Sequence, residues 1–107
     1  MSYAVYTLEQ FDKKIEDLPA SDLEIIEKIF RQLKENPYVG DQVRYKFFRE
    51  KRIREKRIYY LIYEELSAVL IVAFGGKKVQ QNIIDEIIAY FPEYKKYIEN
   101  LLKNNKN

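Results

Sequence analysis

Residues 56–74, KRIYYLIYEELSAVLIVAF, decide the fold, because they hold two strand-like segments with only a few residues between them. Residues 56–65 combine tyrosines with β-branched side chains, a mixture typical of strands. Residues 67–74 are almost wholly apolar, which indicates a strand at the centre of a sheet. Just upstream, residues 47–53 predict a third strand, and the next two residues predict a tight turn. Together the three segments predict an antiparallel meander.

The N-terminal part of the chain predicts one more strand and two helices. Residues 3–7, YAVYT, are short, apolar and β-branched, as in a strand. Apolar residues at i, i+4 and i+7 from Phe11 predict an amphipathic helix of about ten residues. A second helix follows, for which Ser21 and Glu24 predict a capping box and Pro37 sets the end. We expect the two helices to form a hairpin that lies on the sheet.

Two further helices are predicted after the meander. The glycine pair 75–76 ends the apolar run, Lys77 begins a third helix, and Pro92 opens a fourth. The order β-α-α-β-β-β-α-α is typical of the α+β class: a helical hairpin and C-terminal helices packed on a small, mostly antiparallel four-stranded sheet. We expect the first strand to pair with the last strand of the meander. Residues 1–107 are expected to form one domain, with residues 103–107 as a frayed tail.

Two residue types are missing from the sequence, because the chain has no cysteine and no histidine. This excludes disulfides, thiolate catalysis, Cys- or His-ligated metals and every histidine-dependent catalytic mechanism. Asp85 and Glu86 are adjacent on a predicted helix and therefore point apart, so we predict no metal site and no cofactor. No apolar run reaches the length of a membrane span, and the N-terminus lacks signal-peptide features, so we expect a cytoplasmic protein.

Positive charge is concentrated in one part of the chain. Residues 44–57 contain eight cations and two anions, a local charge of +6, although the whole chain carries only +2. A basic region of this kind attracts a nucleic-acid backbone over about a Debye length, roughly 8–10 Å at physiological salt. Charged strand residues also protect an exposed sheet edge from aggregation. The charge pattern alone leaves both interpretations open.

Three segments in this order resemble the RelE/ParE superfamily of toxins from toxin–antitoxin modules, and within it the RelE-like branch. They are FFREKRI at 47–53, KRIYYLIYEE at 56–65 and VLIVAFGGKKVQQNIID at 69–85. The resemblance covers about residues 3–90. It implies a RelE-like fold and a ribosome-dependent mRNA endonuclease that cleaves in the A site. It also implies a cognate antitoxin, the ribosome and mRNA as partners, with no membrane partner and with homodimer formation left open.

The cleavage implied by the resemblance is an attack of the ribose 2′-OH on the adjacent phosphate, promoted by a basic cluster. Such an attack needs a base, stabilisation of the charge at phosphorus and an acid for the leaving 5′-oxygen. A lysine crowded by other cations is suited to the role of base, because like charges disfavour its protonated form, and arginine can clamp the phosphate. The candidate catalytic residues are Lys51, Arg54, Arg57, Tyr60 and Lys78, and the candidate RNA-binding residues are Arg49, Arg52, Lys56 and Lys77.

Two positions depart from the pattern of the family. Tyr60 stands where the family has a basic residue in the second strand of the meander, and the family's late catalytic tyrosine aligns near Ile84. Lys78, in contrast, matches the family's basic residue just after the last strand. The departures keep two alternatives open: a catalytically inactive homologue that acts by binding an antitoxin, and a ParE-like toxin directed at DNA gyrase.

Strand alternation separates the tyrosines of residues 56–65 into two groups. Tyr59 and Tyr63 fall on one face, and Tyr60 falls on the other face with Ile58 and Ile62. An exposed tyrosine can stack an unpaired base, whereas a buried one contributes an apolar body to the core. Packing in the core is the favoured interpretation for Tyr59 and Tyr63, and for Tyr60 both interpretations are open.

Overall fold

A computed structural model describes residues 2–104, apart from the side chain of Val79. The α+β class and the order of the helices and of the four predicted strands are as the sequence predicts, but one further short strand precedes the meander. Short 3₁₀ turns occupy Pro37–Val39, Glu64–Leu66 and Lys77–Val79. The strands are β1 (Ala4–Thr7), β2 (Asp41–Val43), β3 (Tyr45–Ile53), β4 (Lys56–Tyr63) and β5 (Ala68–Gly76), and the helices are α1 (Glu9–Ile15), α2 (Ala20–Glu35), α3 (Gln80–Ala89) and α4 (Phe91–Asn104).

The sheet has the strand order β1-β5-β4-β3-β2. Strands β3, β4 and β5 form the predicted antiparallel meander, and β1 lies parallel to β5, the last strand of that meander. The sheet has five strands and not the predicted four, because the short β2 folds back on β3. This return is made by Arg44, whose φ of 62° lies in the left-handed region, so the pairing depends on a tight reversal and not on a strand-like sequence pattern.

The hydrophobic core lies in two layers, one on each face of the sheet. Helices α1 and α2 cover one face, where Phe11 and Leu33 pack with Tyr60. Helices α3 and α4 cover the other face, where Ile87 and Ile98 pack with residues of β3 and β4. Burying a large apolar side chain of this kind stabilises a fold by roughly 1.5–3 kcal/mol. The two layers therefore hold the helices in place and leave the ends of the strands to form the surface features of the molecule.

The predicted alternation of the tyrosines is confirmed. Tyr59 and Tyr63 lie in the layer under α3 and α4, whereas Tyr60 lies in the layer under α1 and α2 with Ile58 and Ile62. Tyr59, Tyr60 and Tyr63 are all buried. Core packing is therefore confirmed for Tyr59 and Tyr63, and the structure decides in its favour for Tyr60.

The start of α2 differs from the prediction. The helix begins at Ala20 after Pro19, and no side chain caps it, so the predicted capping box of Ser21 and Glu24 is wrong. Because the helix starts one residue before Ser21, the hydroxyl of that residue lies inside the first turn. The carboxylate of Asp22, in the same turn, instead accepts a hydrogen bond from Arg54 at 2.7 Å.

The end of the meander also differs from the prediction. The glycine pair 75–76 continues β5, because Gly75 pairs with Arg57 and Gly76 pairs with Lys56. A 3₁₀ turn then precedes α3, which begins at Gln80 and not at residue 77. At the C-terminus, residues 103 and 104 of the predicted frayed tail belong to α4, and residues 105–107 lie outside the described residues.

Candidate nucleic-acid interface

A cationic groove lies at the end of the sheet where β3 turns into β4. The turn meets the last residues of β5 there, because Lys56 pairs with Gly76 on the β4–β5 ladder. The groove encloses about 670 Å³. Its walls contain six cations and one carboxylate, which gives a formal charge of +5. The lining residues are Arg52, Arg54, Glu55, Lys56, Arg57, Gly76, Lys77 and Lys78.

The groove brings together six of the nine residues that the sequence selects as candidate site residues. Three of them are candidate catalytic residues, and three are candidate RNA-binding residues. Their convergence follows from the topology, since the β3–β4 turn and the β5–α3 junction lie at the same end of neighbouring strands. The six residues are Arg54, Arg57 and Lys78 together with Arg52, Lys56 and Lys77.

Arg57 is the best-fixed cation of the groove. Only 11% of its side chain is exposed, and its Nε donates a hydrogen bond to Oε1 of Glu50 at 2.9 Å. Its Nη1 donates to Oε1 of Gln80, the first residue of α3, at 3.4 Å. A guanidinium with two fixed contacts loses little further conformational entropy when it binds an anion, which suits it to clamp a phosphate.

Arg54 occupies the first position of the β3–β4 turn and has a φ of 54°. Two-residue hairpins of type I′ and type II′ need a positive φ at this position, and a residue with a side chain takes it at a cost of about 1–2 kcal/mol. Its Nε donates to the carboxylate of Asp22 at 2.7 Å, and 61% of the side chain is exposed. The turn therefore presents Arg54 at the rim of the groove, where it is anchored to α2.

The remaining groove cations are exposed. Lys56 extends over the ring of Phe74, with Nζ 5.4 Å from the ring centroid. Lys77 and Lys78 follow β5 directly and lie in the turn before α3. Arg52 lies opposite Arg57 on the β3–β4 ladder, so two positive side chains share one face of this end of the sheet. Their charges sum in a space that is open to an anionic ligand.

Lys51 is not brought into the groove. It lies opposite Ile58 on the β3–β4 ladder, and Ile58 belongs to the core layer under α1 and α2. Its neighbour Arg52 lies opposite Arg57, whose side chain contacts α3. Because side chains alternate along a strand, the two neighbours occupy opposite faces of the sheet. The geometry therefore selects Arg52, and not Lys51, for the groove.

Tyr60 and Arg49 do not line the groove and instead fix the turn at residues 37–40. The hydroxyl of Tyr60 donates to the carbonyl oxygen of Pro37 at 2.7 Å and accepts from the backbone N–H of Gly40 at 3.1 Å. Burial raises the pKa of Tyr60 to about 12. A buried phenol with both functions occupied cannot reach RNA in this conformation, so the structure assigns Tyr60 to the core and not to a catalytic centre.

Arg49 holds the same turn from the neighbouring strand. Its Nη1 donates to the carbonyl oxygens of Gly40 at 2.8 Å and Tyr38 at 3.3 Å, and its Nε donates to that of Lys46 at 3.0 Å. Its guanidinium carbon also lies 5.1 Å from the centroid of the Tyr38 ring. These contacts engage the guanidinium with the backbone, so Arg49 stabilises the turn and does not line the groove.

Sequence reasoning misses Glu50 and Gln80, the two residues that hold Arg57 of the groove. In the sequence Glu50 is only one of the two anions within the basic region, and Gln80 is only part of a predicted helix. The signal available for Glu50 was its spacing, because it shares a strand face with Arg52 at i, i+2. The position near which the family's late tyrosine aligns, Ile84, is buried in the core under α3 and α4.

Among residues 2–104, no group of three or more acidic side chains lies close enough together to hold a metal ion. Within the same residues, no helix combines the length and the apolar character that crossing a membrane requires.

The sheet, its two helical layers and the groove define a small α+β protein with a cationic end. No protein-family model matches the chain. No curated protein matches it either. Solved structures do match, and those described next are toxins or toxin–antitoxin complexes at low sequence identity.

The free Escherichia coli toxin RelE, in a mutant form, is 18% identical with a TM-score of 0.67, over 81% of this chain and 99% of that chain. The archaeal RelE–RelB complex from Pyrococcus horikoshii OT3 is 18% identical with a TM-score of 0.62, over 72% of this chain and 97% of that chain. The toxin–antitoxin complex RelBE2 from Mycobacterium tuberculosis is 21% identical with a TM-score of 0.62, over 72% of this chain and 100% of that chain. The chain therefore has the RelE-like toxin fold, which confirms the resemblance at the level of the fold.

Proposed function

We propose that this protein is the toxin of a toxin–antitoxin module and that it cleaves mRNA in the ribosomal A site. The observation that carries the proposal is the cationic groove, which gathers Arg54, Arg57 and Lys78 at one end of a RelE-like fold. A concave surface with a formal charge of +5 is complementary to an RNA backbone.

The reaction that fits these side chains is a transesterification within the RNA. The 2′-OH gives its proton to a base, its oxygen bonds to the adjacent phosphorus, and the bond from phosphorus to the 5′-oxygen breaks. The leaving 5′-oxygen takes a proton, so the products are a 2′,3′-cyclic phosphate and a 5′-hydroxyl. Arg57 clamps the non-bridging oxygens and stabilises the charge that develops on them. Arginine cannot act as the base, so this role and that of the acid fall to the groove lysines, among them Lys78.

The ribosome supplies positioning that the groove does not provide alone. The whole chain carries a net charge of only +2, and six cations offer few contacts with phosphates. Because each such contact is weakened by salt, free RNA binds poorly at physiological ionic strength. An mRNA already held by the ribosome avoids this loss, since its orientation is fixed before the toxin arrives.

The partner in the module is a cognate antitoxin, and the protein acts in the cytoplasm, where ribosomes and mRNA meet. Two observations support an antitoxin partner. The archaeal and mycobacterial structures that this chain resembles are complexes with antitoxins. The chain also exposes stacked aromatic rings, Tyr45 and Phe47, which are 43% and 39% exposed with centroids 5.4 Å apart. Exposed apolar patches often mark protein–protein contacts.

A second candidate function is favoured by one observation. Among the described residues, no tyrosine lines the groove. Tyr60 is buried in the core, and Ile84 lies near the position where the family has its late tyrosine. A homologue that lacks catalysis and acts by binding, either an antitoxin partner or a ParE-like target such as DNA gyrase, fits this observation.

The test is primer extension on mRNA held by ribosomes with an empty A site, with purified protein added. The proposal expects new cleavage within the A-site codon and none on the same mRNA without ribosomes. Absence of cleavage, in a reaction where an active RelE-like toxin cleaves, would reject the nuclease and favour the second candidate.

A further inference from the structure

Three side chains form a closed ring behind the groove. Arg57 of β4 donates to Oε1 of Glu50 on β3 at 2.9 Å and to Oε1 of Gln80 on α3 at 3.4 Å. The amide Nε2 of Gln80 completes the ring by donating to Oε2 of Glu50 at 3.3 Å. Each of the three residues comes from a different element, so the ring joins both strands of the hairpin to α3.

The ring compensates the positive charge of Arg57 at the end of the sheet. Arg52 and Arg57 lie directly opposite each other on the β3–β4 ladder, and like charges at such positions repel. Arg57 is also 89% covered by protein, and an uncompensated charge is unstable in such surroundings. Glu50, itself only 13% exposed, neutralises Arg57 and lets both arginines remain at the groove.

The ring leaves the guanidinium able to bind an anion. Arginine has five N–H donors, and the contacts with Glu50 and Gln80 use the Nε–H and one Nη1–H. Within the described residues no other hydrogen bond involves this side chain, so three donors remain. Arg57 lines the groove, and the plane of its guanidinium is set by its contacts with Glu50 and Gln80, which do not line the groove.

We propose that Glu50 and Gln80 are positioning residues that hold the Arg57 guanidinium in the orientation that binds the scissile phosphate. The proposal rests on the proposed function, which supplies the phosphate. Neither residue touches RNA. Their effect passes through Arg57, so each one should matter only when Arg57 is present.

A double-mutant cycle tests this dependence. The variants are Glu50→Gln, Arg57→Met and the double variant, measured for single-turnover cleavage at saturating ribosome. Loss of an outer-shell side chain that orients a metal ligand costs about 10–100-fold, and Glu50 orients a phosphate ligand in the same way, so we expect a loss of this size for Glu50→Gln. Loss of a direct charge stabiliser costs about 100–1,000-fold, which we expect for Arg57→Met. The cleavage rate of the double variant should match that of Arg57→Met within about threefold, because Glu50 and Arg57 act together and not independently.

Control variants separate positioning from general stability. Glu27→Gln makes the same chemical change on the exposed surface of α2 and should leave cleavage within about twofold of the wild type. If Glu50→Gln folds poorly in a thermal melt, Gln80→Ala replaces it, because this variant keeps the Arg57–Glu50 ion pair. Its expected loss is about 3–10-fold, again absent in the Arg57→Met background. Equal losses in both backgrounds, or a folded Glu50→Gln that cleaves like the wild type, would overturn the proposal.

A second readout separates this proposal from the proposed function. The Nε–H resonance of Arg57 is followed by NMR while inorganic pyrophosphate is added. We expect this resonance to shift in the wild type and the affinity to fall at least about fivefold in Glu50→Gln. If ribosomal cleavage fails but this result is obtained, the nuclease assignment is wrong and the positioning role stands. An unmoved Arg57 resonance, or equal affinities in the two proteins, would refute the positioning role whatever the protein does on the ribosome.

Discussion

Replacing Tyr60 with phenylalanine should destabilise the protein and leave the chemistry of the groove intact. The change removes one hydroxyl group, which bonds Pro37 at 2.7 Å and Gly40 at 3.1 Å inside the core. The resemblance to RelE-like toxins made Tyr60 a candidate catalytic residue, whereas the structure makes it a support for the turn at residues 37–40. The two roles predict opposite results.

The expected loss of stability follows from the two backbone groups that would remain. The carbonyl oxygen of Pro37 and the N–H of Gly40 are left without the hydroxyl in a buried place, and each such group costs about 1–3 kcal/mol. The free energy of unfolding should therefore fall by about 2–6 kcal/mol. In a domain near this size each kcal/mol moves Tm by about 4–8 °C, so Tm should fall by at least about 8 °C.

The assay pairs a thermal melt followed by circular dichroism with ribosomal cleavage measured well below Tm. We expect Tyr60→Phe to cleave within about threefold of the wild type once it is folded. Tyr97→Phe is the control, because this side chain is 41% exposed and its substitution should change neither quantity. An unchanged Tm with a loss of cleavage of about 100-fold or more, the size expected for a general acid or base, would refute the structural role of Tyr60.

Three further predictions concern the same scaffold. Gly40→Ala should lower the free energy of unfolding by about 1–3 kcal/mol in urea titrations, since its Cβ would clash with the Tyr60 hydroxyl and lie 2.6 Å from the Glu50 carbonyl oxygen; an unchanged midpoint would contradict this packing. The free energy of unfolding should fall as pH rises from 10 to 12. Burial raises the pKa of Tyr59, Tyr60 and Tyr94 to about 12, whereas the value in the unfolded chain is 10.0. The unfolded chain therefore loses these protons first, and its ionisation favours unfolding. Urea titrations at pH 8, 10 and 11.5 measure this slope, and a flat profile would count against burial of the three hydroxyls. Asp22→Ala removes the ion-pair partner of the largely exposed Arg54, so the free energy of unfolding should fall by only about 0–1 kcal/mol and cleavage should change less than threefold. A large loss of cleavage would show that the anchor of Arg54 is essential.

The meander could be predicted from the sequence because its signals are local. The apolar run that became β5 and the alternating tyrosines of β4 each specify a strand without reference to distant residues. Strand β2 could not be predicted in this way. It has three residues, its register shifts between Gln42 and Val43, and it exists because Arg44 reverses the chain onto β3. Such pairing is a tertiary effect that no window of sequence contains.

The site was predictable as a region but not as a set of side chains. Clustering along the chain and the meander topology place the cations of the hairpin near those after β5, which is why Arg57 and Lys78 meet. Which member of a neighbouring pair enters the groove depends on register, and a shift of one residue exchanges Lys51 for Arg52. Tyr60 is removed from the site by hydrogen bonds to residues that lie 20 and 23 positions away along the chain, contacts that local patterns do not encode.

We propose that RNA is cleaved at the groove and not on the face of the sheet under α1 and α2. The most direct measurement compares Lys78→Ala with Lys51→Ala in the ribosomal primer-extension assay. Both variants remove one candidate catalytic lysine, but only Lys78 lines the groove. We expect a loss of about 100-fold or more for Lys78→Ala and less than threefold for Lys51→Ala, with both proteins folded. Normal cleavage by Lys78→Ala together with loss of cleavage by Lys51→Ala would contradict the proposal and would move the site to the face under α1 and α2.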